Sequence, residues 1–360
     1  MTGILIEKFP GEMFNSVWIF GSSSPAGTII YTNNKLRGFD MPKKTGWRWV
    51  WIGVAVVLII LAGGYLFCNV EKVELDQYSK QEAPGEFLLL PAGEVHYQLV
   101  GPADAPLVAL VHGFSVPSYV WEPTLSALEG AGYRVLIFDL FGRGFSQRIN
   151  GDYDIDLFTN QLTDLLAGLE IDQPIVVGGL SMGGPIAARF AHLHPNQTAG
   201  VILIAPEVVQ TTSGDIFPMN IPLVGEYMMR AIMEPYLLPK LQAADFLYPE
   251  RYPDWEDRYR IQLQYQGTGD ALLSTIRNLT ENDPEEEYSA LNKTGIPVLL
   301  IWGEEDQTIG WEQVEVLGKL LPELQIETVQ AAGHLPHYEK AEVVNPLIIS
   351  FLEVYSINDQ

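Results

Sequence analysis

Five short runs of apolar residues recur between residues 107 and 301, and stretches with helical periodicity lie between and after them. The runs are 107–111, 135–138, 175–177, 201–204 and 298–301, with a weaker one at 324–329. The helical patterns are 121–131, 156–169, 183–194, 312–321 and 342–355. Wholly apolar strands are typical of a parallel sheet that is covered on both faces. The alternation therefore predicts an α/β fold, with a mostly parallel sheet, helices on both faces and a hairpin over 87–90 and 95–100.

A connection of 91 residues separates the strand ending at Ala205 from the segment beginning at Pro297. A connection of this length predicts an inserted subdomain. We place a helical cap at 207–290, and the core at 86–206 and 291–360. The methionines and tyrosines of the cap have two interpretations: packing inside a small subdomain, or a lid that favours an apolar acyl group. The acidic run 281–287 is interpreted as a solvated loop rather than a metal site.

A stretch of 22 residues without a charge, 49–70, precedes the α/β pattern. A helix of this length is roughly 33 Å long, enough to cross a hydrocarbon core of about 30 Å. Basic residues lie before it and acidic residues after it, which predicts a cytoplasmic N-terminus and an extracytoplasmic 70–360. We interpret 47–70 as a transmembrane signal-anchor. A cleaved signal peptide, which would leave a secreted enzyme, and a buried soluble helix are the alternatives.

The residues around this span divide into a leader and a connection. Residues 1–46 form an N-terminal tail, and Met41 followed by Pro-Lys-Lys resembles the start of a signal-anchor. We therefore expect either that Met41 is the natural initiator or that 1–40 is a disordered tail. Residues 71–85 are polar and end in Pro84-Gly85, so they are interpreted as a linker.

Charge and cysteine content exclude several classes of protein. The formal net charge is −24, divided between six basic and three acidic residues in 1–68 and 15 basic and 42 acidic residues in 69–360. A nucleic-acid partner is excluded because such proteins need a basic face. The single cysteine, Cys68, excludes an intramolecular disulfide framework, a cysteine-rich metal site and a cysteine nucleophile in the C-terminal domain.

The sequence Gly179-Leu-Ser181-Met-Gly183 follows a predicted buried strand and precedes a predicted helix. In this context the serine lies at the tip of a sharp turn, and the flanking glycines avoid collisions with neighbouring backbone. The N-terminus of the helix adds a positive field beside the hydroxyl. Ser181 is therefore the candidate nucleophile.

A serine nucleophile needs a base, and the base needs an orienting acid. His334 follows the last predicted strand, and Asp306 follows the strand at 298–301. Both therefore lie at the carboxyl edge of the sheet, the edge that also carries Ser181. The order Ser181, Asp306, His334 is the order found where the nucleophile occupies such a turn. The main-chain N–H groups of Met182 and Phe114 are the candidate oxyanion donors.

These motifs resemble the α/β-hydrolase superfamily over about residues 86–355. The matching pieces are His112-Gly-Phe114, Asp139-Leu-Phe-Gly-Arg-Gly-Phe-Ser146, Gly179-Leu-Ser-Met-Gly183, Trp302-Gly-Glu-Glu-Asp306 and Gly333-His334. Similar members include monoacylglycerol lipases, carboxylesterases, carbon–carbon bond hydrolases and cofactor-free perhydrolases. The resemblance implies no metal or organic cofactor. A serine at position 181 argues against the dehalogenase and epoxide hydrolase branches, which use an aspartate nucleophile.

Other polar residues near these motifs have structural interpretations that we favour. Asp139 precedes the nucleophile, so its order is wrong for the acid, and it is interpreted as a turn residue. Glu304 and Glu305 are alternative acids, although the family spacing favours Asp306. Structural roles are also favoured for the remaining candidates: His112 in its loop, His337 in loop packing, His192 and His194 at a helix end, and Arg143 paired with nearby acids rather than with a substrate carboxylate.

The sequence therefore predicts a membrane-anchored serine hydrolase that cleaves carboxylic esters with apolar or lipid-like acyl groups. Its expected partners are a small-molecule ester and the membrane, without nucleic acid, and its oligomeric state is open. An acyltransferase or perhydrolase using the same three residues is the first alternative. A non-catalytic binding protein on the same fold is the second.

Overall fold

The computed structural model describes residues 44–81 and 83–355, so the expectations for 1–40 and for Met41 lie outside the described residues. Within this part of the chain, eight strands form one sheet in the order β1-β2-β4-β3-β5-β6-β7-β8. The strands are β1 Glu86–Leu89, β2 Glu94–Val100, β3 Leu107–Val111, β4 Arg134–Phe138, β5 Ile175–Leu180, β6 Thr198–Ile204, β7 Val298–Gly303 and β8 Gln325–Val329.

The sheet is mixed only at its first edge. β1 and β2 form an antiparallel hairpin, and β2 is antiparallel to β4. All other neighbours are parallel. Every residue of β3, β5 and β7 is buried. The predicted mostly parallel sheet and its N-terminal hairpin are confirmed.

Helices cover both faces of the sheet. The helices of the core are α3 Glu122–Gly130, α4 Ile155–Gly168, α5 Gly183–Leu193, α11 Glu312–Leu320, α12 Pro336–Glu339 and α13 Ala341–Tyr355. α4, α5 and α11 pack in one hydrophobic cluster, which takes Ala109 and Val111 from β3. α3 and α13 pack in the other, which takes Val108 and Leu110. Successive side chains of one strand therefore fill opposite layers, as the alternation of a strand requires.

The long connection between β6 and β7 is helical, as predicted. It contains α6 Val224–Met228, a π-helix at Met229–Leu237, α7 Leu238–Ala244, α8 Trp255–Leu263, α9 Thr268–Asn278 and α10 Pro284–Asn292. α10 packs on the core helix α5, where Glu287 accepts hydrogen bonds from Arg189 (2.7 Å) and pairs with His192 (2.6 Å). The interpretation of 281–287 as a solvated loop was wrong for its second half. Asp283 caps α10 and three glutamates occupy its first turn, where negative charge is favourable.

An apolar helix, α1 Lys44–Cys68, precedes the sheet, and a short helix, α2 Gln77–Lys80, follows it. Residues Trp47–Cys68 are long and apolar enough to cross a membrane, a property that signal sequences share. The chain divides into two units after Ile60, so the unit that holds the sheet also includes the last turns of α1.

The segment predicted as a linker, 71–85, is bound to the cap at its start. The buried carboxylate of Glu71 accepts hydrogen bonds from the amides of Gly267 (3.1 Å) and Gly269 (2.7 Å). Val73 exchanges main-chain hydrogen bonds with the residues on either side of Tyr265. The chain is therefore fixed to the cap within five residues of the end of α1.

Candidate active site

Ser181 is the first residue of the two-residue turn between β5 and α5. Its φ is +52°, a left-handed conformation that costs a non-glycine residue of order 1 kcal/mol or more. The flanking glycines are required by close packing: a Cβ at Gly179 would lie 2.1 Å from the carbonyl oxygen of Gly183. A Cβ at Gly183 would lie 2.5 Å from the carbonyl oxygen of Val111. The turn can therefore form only with glycine on each side of the leucine–serine–methionine unit.

The backbone of Ser181 is fixed on both sides of the bend. Its amide donates to the carbonyl oxygen of Ile204 (3.0 Å), and its carbonyl oxygen accepts from the amides of Gly184 (2.8 Å) and Glu207 (3.1 Å). The hydroxyl itself makes no hydrogen bond to another described residue. The turn therefore presents an uncommitted hydroxyl at the carboxyl edge of the sheet.

Asp306 and His334 form a hydrogen-bonded pair after β7 and β8. The two side chains join through Nδ1 of His334 and Oδ2 of Asp306 at 2.8 Å, and both are buried. The other oxygen of Asp306 accepts from the amides of Thr308 (2.8 Å) and Ile309 (3.0 Å). Burial lowers the pKa of His334, but the hydrogen bond and the charge of Asp306 raise it, and the net direction is above 6.5.

The structure brings Asp306 and His334 together and places Ser181 on the same edge. No hydrogen bond joins the hydroxyl of Ser181 to His334 within the described residues. In enzymes without substrate such contacts are often long and tighten only when substrate binds. The pairing of His334 with Ser181 therefore remains a prediction.

The two candidate oxyanion donors lie next to this hydroxyl. Neither the amide of Phe114 nor that of Met182 donates a hydrogen bond to another described residue. Met182 directly precedes α5, where main-chain N–H groups are unpaired and the helix field is positive. A Cβ at Gly113 would lie 3.2 Å from Cβ of Ser181, so glycine at this position favours the close approach of the Phe114 loop to Ser181.

His112 fixes the loop that carries Phe114. Its Nε2 accepts a hydrogen bond from the amide of Leu140 (2.9 Å), so its proton resides on Nδ1, which donates to the carbonyl oxygen of Gly113 (2.8 Å). Burial lowers the pKa of His112 to about 4, so the ring is neutral near pH 7. The geometry agrees with the structural interpretation of His112.

The contacts of Arg143 differ from the ion pair that the sequence predicted. Its buried guanidinium donates to the carbonyl oxygen of Phe114 (2.9 Å) and to the hydroxyl of Thr275 in the cap (2.7 Å), and it lies 5.1 Å from the ring centre of Phe158. No carboxylate pairs with Arg143 among the described residues, so the expectation of an ion pair with nearby acids was wrong. Burial lowers its pKa to about 9, which leaves it charged at neutral pH. Arg143 therefore links the Phe114 loop to the cap.

Asp139 belongs to a separate network below the loops. It pairs with His96 (2.8 Å), accepts from the hydroxyl of Ser118 (2.6 Å) and accepts from the amide of Phe145 (2.9 Å). Burial would raise the pKa of Asp139, but His96 and these donors hold it well below its ordinary value. These contacts support the turn role inferred from chain order.

The remaining alternatives also make contacts away from His334. The carboxylate of Glu304 accepts from the hydroxyl of Thr328 (3.0 Å), and that of Glu305 accepts from the amide of Ala332 (3.2 Å). His337 is buried with its ring 4.5 Å from that of Trp121. The packing interpretation of His337 fits this position.

A cavity lies beside Met182. Its lining is mostly apolar and includes Ile155 and Phe158 of α4, Ile186 of α5 and Leu279 next to α9. Glu207 also lines it, accepting from the hydroxyl of Thr211 (2.9 Å), and burial raises the pKa of this carboxyl. Sequence reasoning missed Glu207, although its position three residues after the end of β6, at the same sheet edge, was a usable signal.

The cap contacts the loop that follows Phe114 and the loop of His334. The amide nitrogen of the Gln262 side chain donates to the carbonyl oxygen of Ser115 (2.7 Å), and the amide of His334 donates to the carbonyl oxygen of Asp245 (2.9 Å). The cap therefore lies over the edge that carries the candidate site. In the described part of the chain, no group of three His, Cys, Asp or Glu residues could hold a metal ion.

Comparisons with known proteins agree with this architecture. Lipase 1 of Psychrobacter immobilis is 27% identical over 280 residues, which cover 73% of this chain and 83% of the lipase. The AB hydrolase superfamily protein YfhM of Bacillus subtilis is 26% identical over 275 residues, 72% of this chain and 94% of that protein. The solved structure of a thermophilic esterase from Thermogutta terrifontis has a TM-score of 0.66 at 24% identity, covering 76% of this chain and 100% of the esterase.

A family model described as the alpha/beta hydrolase fold matches residues 106–341. This range includes β3 to β8, the cap and every candidate site residue. The lipase relatives support an enzyme of the hydrolase class. The chain belongs to the alpha/beta hydrolase fold family.

Proposed function

We propose that this protein hydrolyses carboxylic esters through an acyl-enzyme on Ser181. One observation carries the proposal: a hydroxyl in a strained turn, beside two unpaired main-chain N–H groups, shares a sheet edge with a buried histidine–carboxylate pair. Each component has a defined task in acyl transfer. The similarity to Lipase 1 adds support from sequence.

The chemistry follows from the tasks of these groups. The oxygen of Ser181 attacks the ester carbonyl while Nε2 of His334 takes the hydroxyl proton. The amides of Phe114 and Met182 donate to the resulting oxyanion. As the carbon–oxygen bond to the alcohol breaks, His334 returns its proton to the leaving oxygen. Water then repeats both steps on the acyl-enzyme, releasing the acid and restoring Ser181.

The cavity beside Met182 supports an apolar acyl group. Most of its lining is apolar, and it adjoins the amide that would hold the oxyanion. Glu207 adds one carboxyl whose raised pKa favours the neutral form, which can donate a hydrogen bond. We therefore propose esters with apolar or lipid-like acyl chains as the substrate class.

The apolar helix α1 supports a location at the membrane. We propose that Trp47–Cys68 anchors the enzyme and that the hydrolase domain lies on the extracytoplasmic side, since basic residues precede the span and acidic residues follow it. Intact-mass measurement of the membrane-bound protein distinguishes this arrangement from a cleaved leader.

The proposal is tested with a fluorophosphonate probe and an ester panel on the full chain in detergent. We expect the probe to modify one serine, mapped by peptide mass spectrometry to Ser181, and to abolish ester hydrolysis in step with labelling. The panel should favour acyl chains longer than acetyl. Absence of labelling, or labelling at another serine with Ser181 unmodified, would overturn the proposal.

The pH profile of the reaction should have its acid limb above pH 6.5. His334 accepts a proton only when neutral, and Asp306, Asp245 and Glu339 all favour its charged form. Its pKa is raised, so kcat/KM should fall with a slope of one as pH decreases through a value above 6.5. The rate of fluorophosphonate labelling should show the same limb, because it needs the same base. A limb centred below pH 6 in both measurements would contradict the assignment of His334.

A further inference from the structure

The outward side of the cap between residues 216 and 244 is nearly free of exposed charge. Four charged residues occur in this stretch: Glu226, Arg230, Glu234 and Lys240. Glu226 pairs with Arg277 (2.8 Å) and Arg230 pairs with Glu71 (3.0 Å). Lys240 is exposed. In a domain with a net charge of −27, a surface stretch with so little free charge needs an explanation.

The third charged residue of this stretch, Glu234, is fully buried. Burial and the neighbouring Glu71 raise the pKa of Glu234 to about 9, so its carboxyl is neutral at physiological pH. It therefore contributes neither exposed area nor negative charge to the outer surface of the cap.

Large apolar side chains occupy this surface instead. They are spread along the consecutive helices α6, the π-helix and α7, beginning at the residue that precedes α6. We call this set the cap stripe: Leu223, Val224, Ile232, Tyr236, Leu237 and Leu241. Leu223 is 84% exposed and Leu241 is 50% exposed. A contiguous exposed apolar surface of this kind marks an interaction site.

The last turns of α1 lie against the same helices. The ring of Tyr65 stacks on that of Tyr227 at 6.4 Å, and the guanidinium of Arg230 lies 5.4 Å from the centre of the Tyr65 ring. Tyrosine rings near the end of a span favour the membrane–water interface. These contacts therefore join α6 and the π-helix to the last turns of α1.

The chain after α1 allows little separation between span and cap. α1 ends at Cys68, and Glu71 is already bound to the cap through Arg230, Gly267 and Gly269. Three residues reach at most about 10 Å. A domain held this closely cannot extend away from the membrane on a flexible tether.

We propose that the cap stripe lies in the interfacial layer of the bilayer that α1 spans, so that the cap is a membrane-binding element of the enzyme. The proposal rests on the anchor in the proposed function. The apolar stripe would sit roughly 5 to 10 Å deep, as amphipathic helices do. Because the domain is acidic, its binding is hydrophobic and should not require anionic lipid.

A second copy of the chain is the rival occupant. The bilayer is favoured because Leu66 (68% exposed) and Phe67 (91% exposed) lie at the end of the span. The next residue, Cys68, has its Sγ 3.8 Å from the hydroxyl of Tyr236 in the stripe. The end of the span therefore contacts the stripe.

The test measures lipid contact in the full chain. Cys68 is the only cysteine, so a Cys68→Ser background accepts a single label at chosen positions. Leu223→Cys and Leu237→Cys report on the stripe. Leu193→Cys and Ile326→Cys, on other exposed apolar positions, are matched controls. Each is labelled with an environment-sensitive fluorophore and reconstituted in phosphatidylcholine vesicles, with or without brominated acyl chains.

We expect brominated lipid to quench the label about twofold at both stripe positions and to leave both controls nearly unchanged. Equal quenching at stripe and control positions would overturn the proposal. So would a stripe signal that resists brominated lipid and rises with the protein-to-lipid ratio, which would indicate a second copy.

Two further measurements separate this inference from the proposed function. Adding Ser181→Ala to each cysteine variant should leave the quenching of its label unchanged. The result on lipid contact therefore holds even if the protein proves not to hydrolyse esters. Intact mass of the reconstituted protein shows whether α1 is retained. If α1 is lost, both proposals are overturned: the membrane anchor and the lipid contact of the cap stripe. If α1 is retained and the stripe labels are not quenched, only the lipid contact of the cap stripe is overturned.

Discussion

Ser181→Ala should lower kcat for ester hydrolysis by about 10⁵- to 10⁶-fold, since removing the nucleophile of such a site costs as much as removing the whole set. The amides of Phe114 and Met182 and the substrate cavity remain, so a residual rate of roughly 10³-fold over water should persist. Steady-state kinetics on the best ester of the panel measures the loss. The variant should also lose all fluorophosphonate labelling.

Two further variants separate chemistry from folding. Ser181→Gly relieves the positive φ at this position, so its melting temperature should not fall while its activity is lost to the same extent. Ser126→Ala, on the exposed side of α3, should keep full activity and full labelling. Hydrolysis that survives in Ser181→Ala within tenfold of the original chain would show that another residue is the nucleophile.

The sequence was sufficient for the sheet and for the edge that carries the site. The apolar runs at 107–111, 175–177 and 298–301 are strands whose residues are buried on both faces, so their composition reports their environment directly. The ends of parallel strands converge, so residues far apart in sequence are predicted at one edge. This rule placed Asp306 and His334 on that edge, where the structure joins them.

Contacts between core and cap were not predictable in the same way. Arg143 is held by Thr275, 132 residues later, and the strand rules do not report which cap residue lies above a loop. The many acidic residues of the domain favoured the prediction that Arg143 forms an ion pair. Carbonyl oxygens, a hydroxyl and aromatic faces stabilise the guanidinium instead.

The hydrogen bonds that hold Glu71 to the cap were not predicted, for a related reason. Its amide donors are 196 and 198 residues away, and a polar segment ending in Pro-Gly has the composition of a linker whether or not its backbone is paired. For the exposed apolar surface of the cap, the sequence showed only that this segment is rich in Met, Tyr and Leu. Whether such residues point inward or outward depends on the π-helix, whose wider turn moves side chains around the axis.

The helices that carry the cap stripe and the cavity beside Met182 share one element of the cap. Arg277 of α9 pairs with Glu226 of α6 and donates to the carbonyl oxygen of Met219 (3.0 Å). The same α9 region supplies Thr275 and Leu279 to the cavity wall. The proposed lipid contact at α6 and the wall of the cavity are therefore linked through packed, hydrogen-bonded residues rather than through a flexible loop.

Asp306→Asn should lower kcat by about 10⁴-fold with little change in fold, as the same change does in serine proteases with this arrangement. In the structure Oδ2 of Asp306 accepts from Nδ1 of His334, which leaves Nε2 free to accept the serine proton. The other oxygen is held by the amides of Thr308 and Ile309, so an asparagine keeps its oxygen there and turns its NH₂ group toward His334. His334 must then protonate Nε2, which removes the base.

Glu304→Gln and Glu305→Gln are the matched controls, because each neutralises a neighbouring carboxylate of the same loop. Glu304 contacts Thr328 and Glu305 contacts the amide of Ala332, so both variants should retain activity within a fewfold. Kinetics at saturating ester and thermal unfolding of the three variants make the comparison. If Glu305→Gln loses activity and Asp306→Asn keeps it, the acid is Glu305. The buried pair of Asp306 and His334 would then have a structural role. The hydrogen bond at 2.8 Å, made by a side chain fully removed from solvent, leads us to expect the opposite.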